Sequence, residues 1–126
     1  MELRFEDADA LARLEAATPE QLDALGFGVI AMAADGTVVA YNAAEARGAG
    51  LTAARVIGRH FFTSVGPCMN NFLVAERFEA EPELDATLDY TFTFVMKPTP
   101  VRLRLLKSPQ AARRYLLVRR RGDRDG

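Results

Sequence analysis

The feature that most constrains this chain is a pair of alternating apolar runs folded about turn signals, one near each end, with a helical middle between them. Val29-Ile30-Ala31-Met32 and Thr37-Val38-Val39-Ala40-Tyr41 flank Asp35-Gly36, the pattern of a β-hairpin. Tyr90 to Met96 and Val101 to Leu105 alternate with period two, with Lys97-Pro98-Thr99-Pro100 as the turn between them, and Arg114 to Arg119 supplies a last strand. Five strands with helices gathered between and before them predict an α+β domain, an antiparallel sheet with helices on one face.

The helical segments read as follows. Asp7 to Glu15 places Leu11 and Leu14 at helical spacing, a short amphipathic helix with weak packing. Thr18-Pro19-Glu20-Gln21 is a capped helix start, with Leu22 and Leu25 turned inward. Asn42 to Gly50 is tightly turned and helical, and Thr52 caps another short helix through Val56. From Asn71 to Phe78, the spacing of Phe72, Ala75 and Phe78 predicts one buried face of a longer helix. Residues 1–25 are thus a helical cap, 26–120 the core, and 121–126 a charged, Gly-rich tail expected to fray.

With 126 residues the chain is long enough for one core, and a net charge of −1 offers no field for polyanions, so no nucleic-acid partner is expected. No apolar run reaches membrane-spanning length, and the acidic start lacks the pattern of a secretory signal. One cysteine forbids an intrachain disulfide, and the cytoplasm is the expected compartment. The lone His60 has no ligand cluster around it in sequence and reads as structural, so no metal site is expected. Neither a phosphate-cradling glycine loop nor a base for Cys68 is evident, which leaves hydrolase and kinase readings without residues.

Two groups could carry chemistry. Cys68 lies in Gly66-Pro67-Cys68-Met69-Asn70-Asn71, a turn before an expected helix start. A lone thiol there is either a small buried hydrophobe or, if a helix N-terminus stabilises its thiolate, a nucleophile toward an activated acyl group. Tyr41 and Glu45 are four residues apart, and read either as an edge tyrosine with a solvated glutamate or as a buried pair that donates to one oxygen anion. The second reading needs Glu45 protonated, which burial favours.

Tyr41-Asn42-Ala43-Ala44-Glu45, Val56-Ile57-Gly58-Arg59-His60-Phe61-Phe62, Pro67-Cys68 and Tyr90-Thr91-Phe92, in that order and spacing, resemble the photoactive yellow proteins. These are blue-light receptors of PAS type, and the resemblance runs from about Gln21 to Arg120. It implies a PAS fold with a five-stranded antiparallel sheet, and p-coumaric acid (4-hydroxycinnamic acid) held as a thioester on Cys68. It implies that Tyr41 and Glu45 bind the phenolate, that Cys68 N–H binds the thioester oxygen, and that Val65, Pro67, Phe92, Phe94 and Met96 form the walls. Light would isomerise the double bond, Glu45 would lose its proton, and the N-terminal helices would open as the signal.

Three positions and one length depart from the family pattern. Phe94 stands where a tyrosine is frequent, and the stretch between Cys68 and Tyr90 is a few residues shorter than in the best-known members. Ala49 stands where the best-known members have a hydroxyl, and Leu51 where they have an arginine, so a smaller hydrogen-bond network and a less firmly held phenolate are expected. A PAS ligand or interaction module without chromophore, and a thiol redox sensor, remain the competing readings. The downstream signalling partner is not legible, and a monomer or weak homodimer is expected. A basic strip of Arg102, Arg104, Arg113, Arg114 and Arg119 to Arg121 reads as an exposed strand face.

Overall fold

The computed structural model describes residues 1–93 and 97–124. Phe94 and Met96, both expected to wall the site, and the last two residues of the expected fraying tail lie outside the described residues. Five strands, β1 (Gly28–Met32), β2 (Val38–Tyr41), β3 (Leu84–Phe92), β4 (Thr99–Lys107) and β5 (Arg114–Arg120), form one antiparallel sheet in the order β2-β1-β5-β4-β3. The first and last strands of the sequence therefore meet at its centre, and both are buried along their middles because each face of the sheet is covered.

Strand alternation divides the side chains between two cores. On one face Ile30, Met32, Leu103, Leu105, Leu116, Val118 and Phe92 pack under helices α3 (Ala43–Ala49), α4 (Ala53–Val56) and α5 (Ala75–Ala80) and the turns between them. On the other, Val29, Ala31, Leu106, Tyr115 and Leu117 receive the N-terminal cap: Leu3, Phe5, and helices α1 (Ala10–Ala16) and α2 (Pro19–Asp23). The expected capping box is present, with Thr18 Oγ accepting from Gln21 N–H at 3.2 Å and Gln21 Oε1 from Thr18 N–H at 2.9 Å.

The cap is held more firmly than its sequence suggests. Leu3, Phe5 and Leu14 are buried, and Phe5 meets Phe27 edge to face at 5.6 Å. Arg104, read as part of an exposed strip, is only 4% exposed. On the cap face of β4 its guanidinium donates to both carboxylate oxygens of Asp85 at 2.9 Å, to Phe5 O at 2.8 Å and to Asp7 O at 2.7 Å. The next strand adds Arg119, paired with Glu6 at 2.8 Å and stacked over Phe5 at 4.8 Å.

Three further differences from expectation have local causes. Phe72 is 71% exposed, not in the core. The Asn71 side chain accepts from Leu73 and Val74 N–H, which holds the chain in a turn and delays α5 to Ala75. Strand β3 begins six residues earlier than expected, with Leu84, Ala86 and Leu88 on the inner face, and Thr99 and Pro100 pair with it as strand instead of turning. Residues 121–124 make contacts with the core: Asp123 accepts from Arg120 N–H at 2.8 Å, and Arg124 lies so close to Gly26 that a Cβ there would overlap it.

Candidate functional site

Tyr41 reaches the inner face through an irregularity. Tyr41 pairs with Ile30 and Val38 with Met32, four residues of β2 against three of β1, with the register shifting between Ala31 and Met32. This bulge turns both Val38 and Tyr41 toward the α3 side, where simple alternation would send them to opposite faces. Tyr41 is buried, and burial first, then the nearby Glu45 charge, push its phenol well above the ordinary range, so it stays a donor.

Asn42, the next residue, fixes where Glu45 goes. Its buried carboxamide oxygen accepts from Val29 N–H at 2.8 Å and from Glu45 N–H at 3.1 Å, capping α3. Its amide nitrogen donates to Leu22 O at 2.8 Å and Phe27 O at 3.0 Å, so one side chain ties α2, β1 and α3 together. Helix α3 ends at Gly50, whose φ of 69° is the left-handed conformation that closes a helix. Asn42→Ala is expected to cost about 2 kcal/mol or more, since it removes a cap and leaves buried donors and acceptors unpaired. A lowered urea midpoint with unchanged slope is the measurement.

Glu45 in the first turn of α3 is 3% exposed. Its carboxylate accepts from Arg120, the last residue of β5, at 2.6 Å to one oxygen and 3.1 Å to the other. Burial pushes the Glu45 carboxyl up, and the guanidinium pulls it part of the way back. Two glycines make the room. A Cβ on Gly28 would overlap Glu45 Oε1, and a Cβ on Gly48 would overlap the guanidinium. The same guanidinium stands over the buried Phe92 ring at 5.6 Å.

Cys68 is half-buried and packs against the apolar cluster that contains Tyr41 and Phe92. Pro67–Met69 is a single 3-10 turn, too short to present the helix dipole expected at the thiol. What fixes it is a polar clamp. Tyr90 Oη donates to Cys68 O, and Asn71 Nδ2 donates to Cys68 O at 3.1 Å and to Tyr90 Oη at 2.7 Å. The turn's backbone hydrogen bonds come from Met69 and Asn70 N–H, so Cys68 N–H takes part in neither.

Leu51 and Val65 are half-buried beside the same cluster, Ala49 is half-buried at the end of α3, and Pro67 is exposed, where its ring shapes the turn. The structure therefore brings Tyr41, Glu45, Cys68, Leu51, Val65 and Phe92 to one side of the sheet. Sequence reasoning missed Arg120 and the Asn71–Tyr90 clamp. Arg120 had one signal, its place at the inward phase after Leu116 and Val118.

No family model matches the chain. It is 34% identical over 103 residues to the photoactive yellow protein of Rhodothalassium salexigens, an alignment covering 79% of this chain and 82% of that one. To the photoactive yellow protein of Cereibacter sphaeroides it is 30% identical over 122 residues, covering 92% and 95%. Among solved structures it superposes on the photoactive yellow protein domain of the sensor histidine kinase Ppr from Rhodospirillum centenum with a TM-score of 0.78 and 34% identity, covering 86% of this chain and 98% of that one. A PAS domain from Haloarcula marismortui, 16% identical with a TM-score of 0.59, shares the fold.

Proposed function

This chain belongs to the photoactive yellow protein family, PAS-fold photoreceptors and not enzymes, and on that premise we propose that it senses blue light through p-coumaric acid held as a thioester on Cys68 Sγ. Bound there, the group supplies blue absorption and a light-driven trans-to-cis isomerisation. The residues present suit it. The sulfur sits at the edge of an apolar cluster, the amide N–H beside it takes no part in the turn's Met69 and Asn70 hydrogen bonds, and a phenol donor and a buried carboxyl stand on the same side of the sheet.

Each residue then has a task. The clamp of Tyr90 and Asn71 holds the Cys68 backbone, so its N–H is aimed at one place, where it serves the thioester oxygen. Tyr41 Oη donates to the phenolic oxygen and keeps its own proton, because burial opposes ionisation. The Glu45 carboxyl holds a proton in the dark and releases it after illumination, a task that suits an acid whose affinity for protons burial has raised. Leu51, Val65 and Phe92 exclude water from these groups. Opening of the N-terminal cap is the output, and the polar anchors at Arg104 and Arg119 are what must let go.

The observation that carries this reading is the burial of Tyr41 and Glu45 on the side of the sheet where Cys68 packs. Chromophore-free protein treated with an activated p-coumaroyl ester is expected to gain one acyl group at Cys68 and a visible band that bleaches in blue light and returns in darkness. A reactive thiol without a visible band would instead indicate a redox sensor, and no adduct a ligand or interaction module.

A further inference from the structure

Building on that reading of Cys68 and Glu45, we propose that Arg120 is a counter-ion built into the light-sensing site: it receives the Glu45 carboxylate once the proton has gone, and so sets how long the illuminated state lasts. The proton passes from Glu45 to the phenolic oxygen. Arg120 keeps its own proton throughout, so the transfer leaves a neutral phenol and a paired carboxylate.

The geometry is that of a prepared receptor. The two terminal guanidinium nitrogens each donate to a different carboxylate oxygen, at 2.6 and 3.1 Å, the fork arrangement in which charge-assisted hydrogen bonds are strongest. The side chains are 13% and 4% exposed, so solvent screens the pair little. Three elements are shaped to admit it. Gly28 of β1 gives space to the carboxylate, Gly48 of α3 gives space to the guanidinium, and Phe92 of β3 offers an aromatic face to the cation. The charged and titratable groups that bear on the pair are Tyr41 of β2 and Asp123 beyond β5, and Asp123 accepts from the Arg120 backbone N–H, which holds the strand end in place.

An unpaired carboxylate in an apolar interior is costly enough to drive a domain open. Pairing with Arg120 lowers that cost, so the illuminated state persists longer before the proton returns.

Infrared spectra and photocycle kinetics test this together. In chromophore-free protein at neutral pH, Glu45 is expected to be ionised, showing no carboxylic-acid band that Glu45→Gln removes. Arg120→Met is expected to create that band, and Arg120→Lys is expected to restore the ionised form. A protonated Glu45 in the wild-type chromophore-free protein would overturn the proposal. In pigment-loaded protein, Arg120→Met is expected to shorten the illuminated state about tenfold for each unit by which the lost cation lets the Glu45 pKa rise. Gly48→Ala, which crowds the guanidinium but leaves its charge, is expected to shift the lifetime the same way. Unchanged or longer lifetimes in both variants of a normally coloured protein would sink this proposal alone. A wild-type protein that takes up no p-coumaroyl group would sink the photoreceptor reading and this proposal with it.

Discussion

Cys68→Ser is expected to leave the protein colourless after treatment with an activated p-coumaroyl ester, with no acyl group on the turn and an unchanged melting temperature. The substitution removes the one sulfur nucleophile in the chain, and a serine hydroxyl without a base to activate it does not attack a thioester or anhydride at a comparable rate. Folding should be untouched, because the clamp grips the Cys68 carbonyl and not its side chain. The half-buried position also tolerates a near-isosteric hydroxyl. Intact mass and the visible spectrum read the outcome. A yellow, light-bleaching product in the serine variant would place the covalent bond elsewhere and remove Cys68 from the site.

Arg104→Met is expected to produce the largest loss of stability of any single change outside the apolar core. Arg104 answers four acceptor atoms at once, two of them backbone carbonyls of the N-terminal segment. Breaking a buried charged network by removing one partner costs about 3–5 kcal/mol, and the 55% exposed Asp85 side chain, which water can re-solvate, places this case near the lower end. The damage should be local. Phe5 and Asp7 lose their tie to β4, so amide hydrogen exchange should accelerate across residues 3–16 before it does in β1 or β5. Arg104→Lys, with the charge but not the fork, should fall between. Equal protection of the cap in both variants and the wild type would mean that apolar packing alone holds it.

These two residues also mark how far the sequence could be read. Cys68 announced itself by being single and by standing in a Pro-bracketed turn, whereas Arg104 looked like any charge on an exposed strand. The distinction depends on what covers the outer face of β4, and that cover arrives from nearly a hundred residues away in the chain. Local chemistry was legible where it is local: the hairpin about Asp35-Gly36, and the Thr18–Gln21 box. Tyr41 was legible as a residue, but not its direction, because one extra residue in β2 decides which face it meets. Leu84, Ala86 and Leu88 alternate in sequence, yet Asp85 and Asp89 among them masked the strand. Phe72 failed for the opposite reason, since helical spacing was real but the Asn71 side chain competes for the backbone N–H groups that would have begun the helix. The inward phase of Arg120 was legible, but its partner Glu45 was not until β5 was known to run beneath α3.

Arg119 and Arg120 are consecutive, and one grips the N-terminal segment while the other grips the acid under α3. The sheet is a wall between two compartments, and these side chains leave it in opposite directions from neighbouring peptide units. Any reorientation of the strand end that follows a change of partner at one is therefore felt at the other within about 3.3 Å of chain. On the proposed reading, a signal from the buried acid to the N-terminal segment has no long corridor to travel; it crosses a single partition.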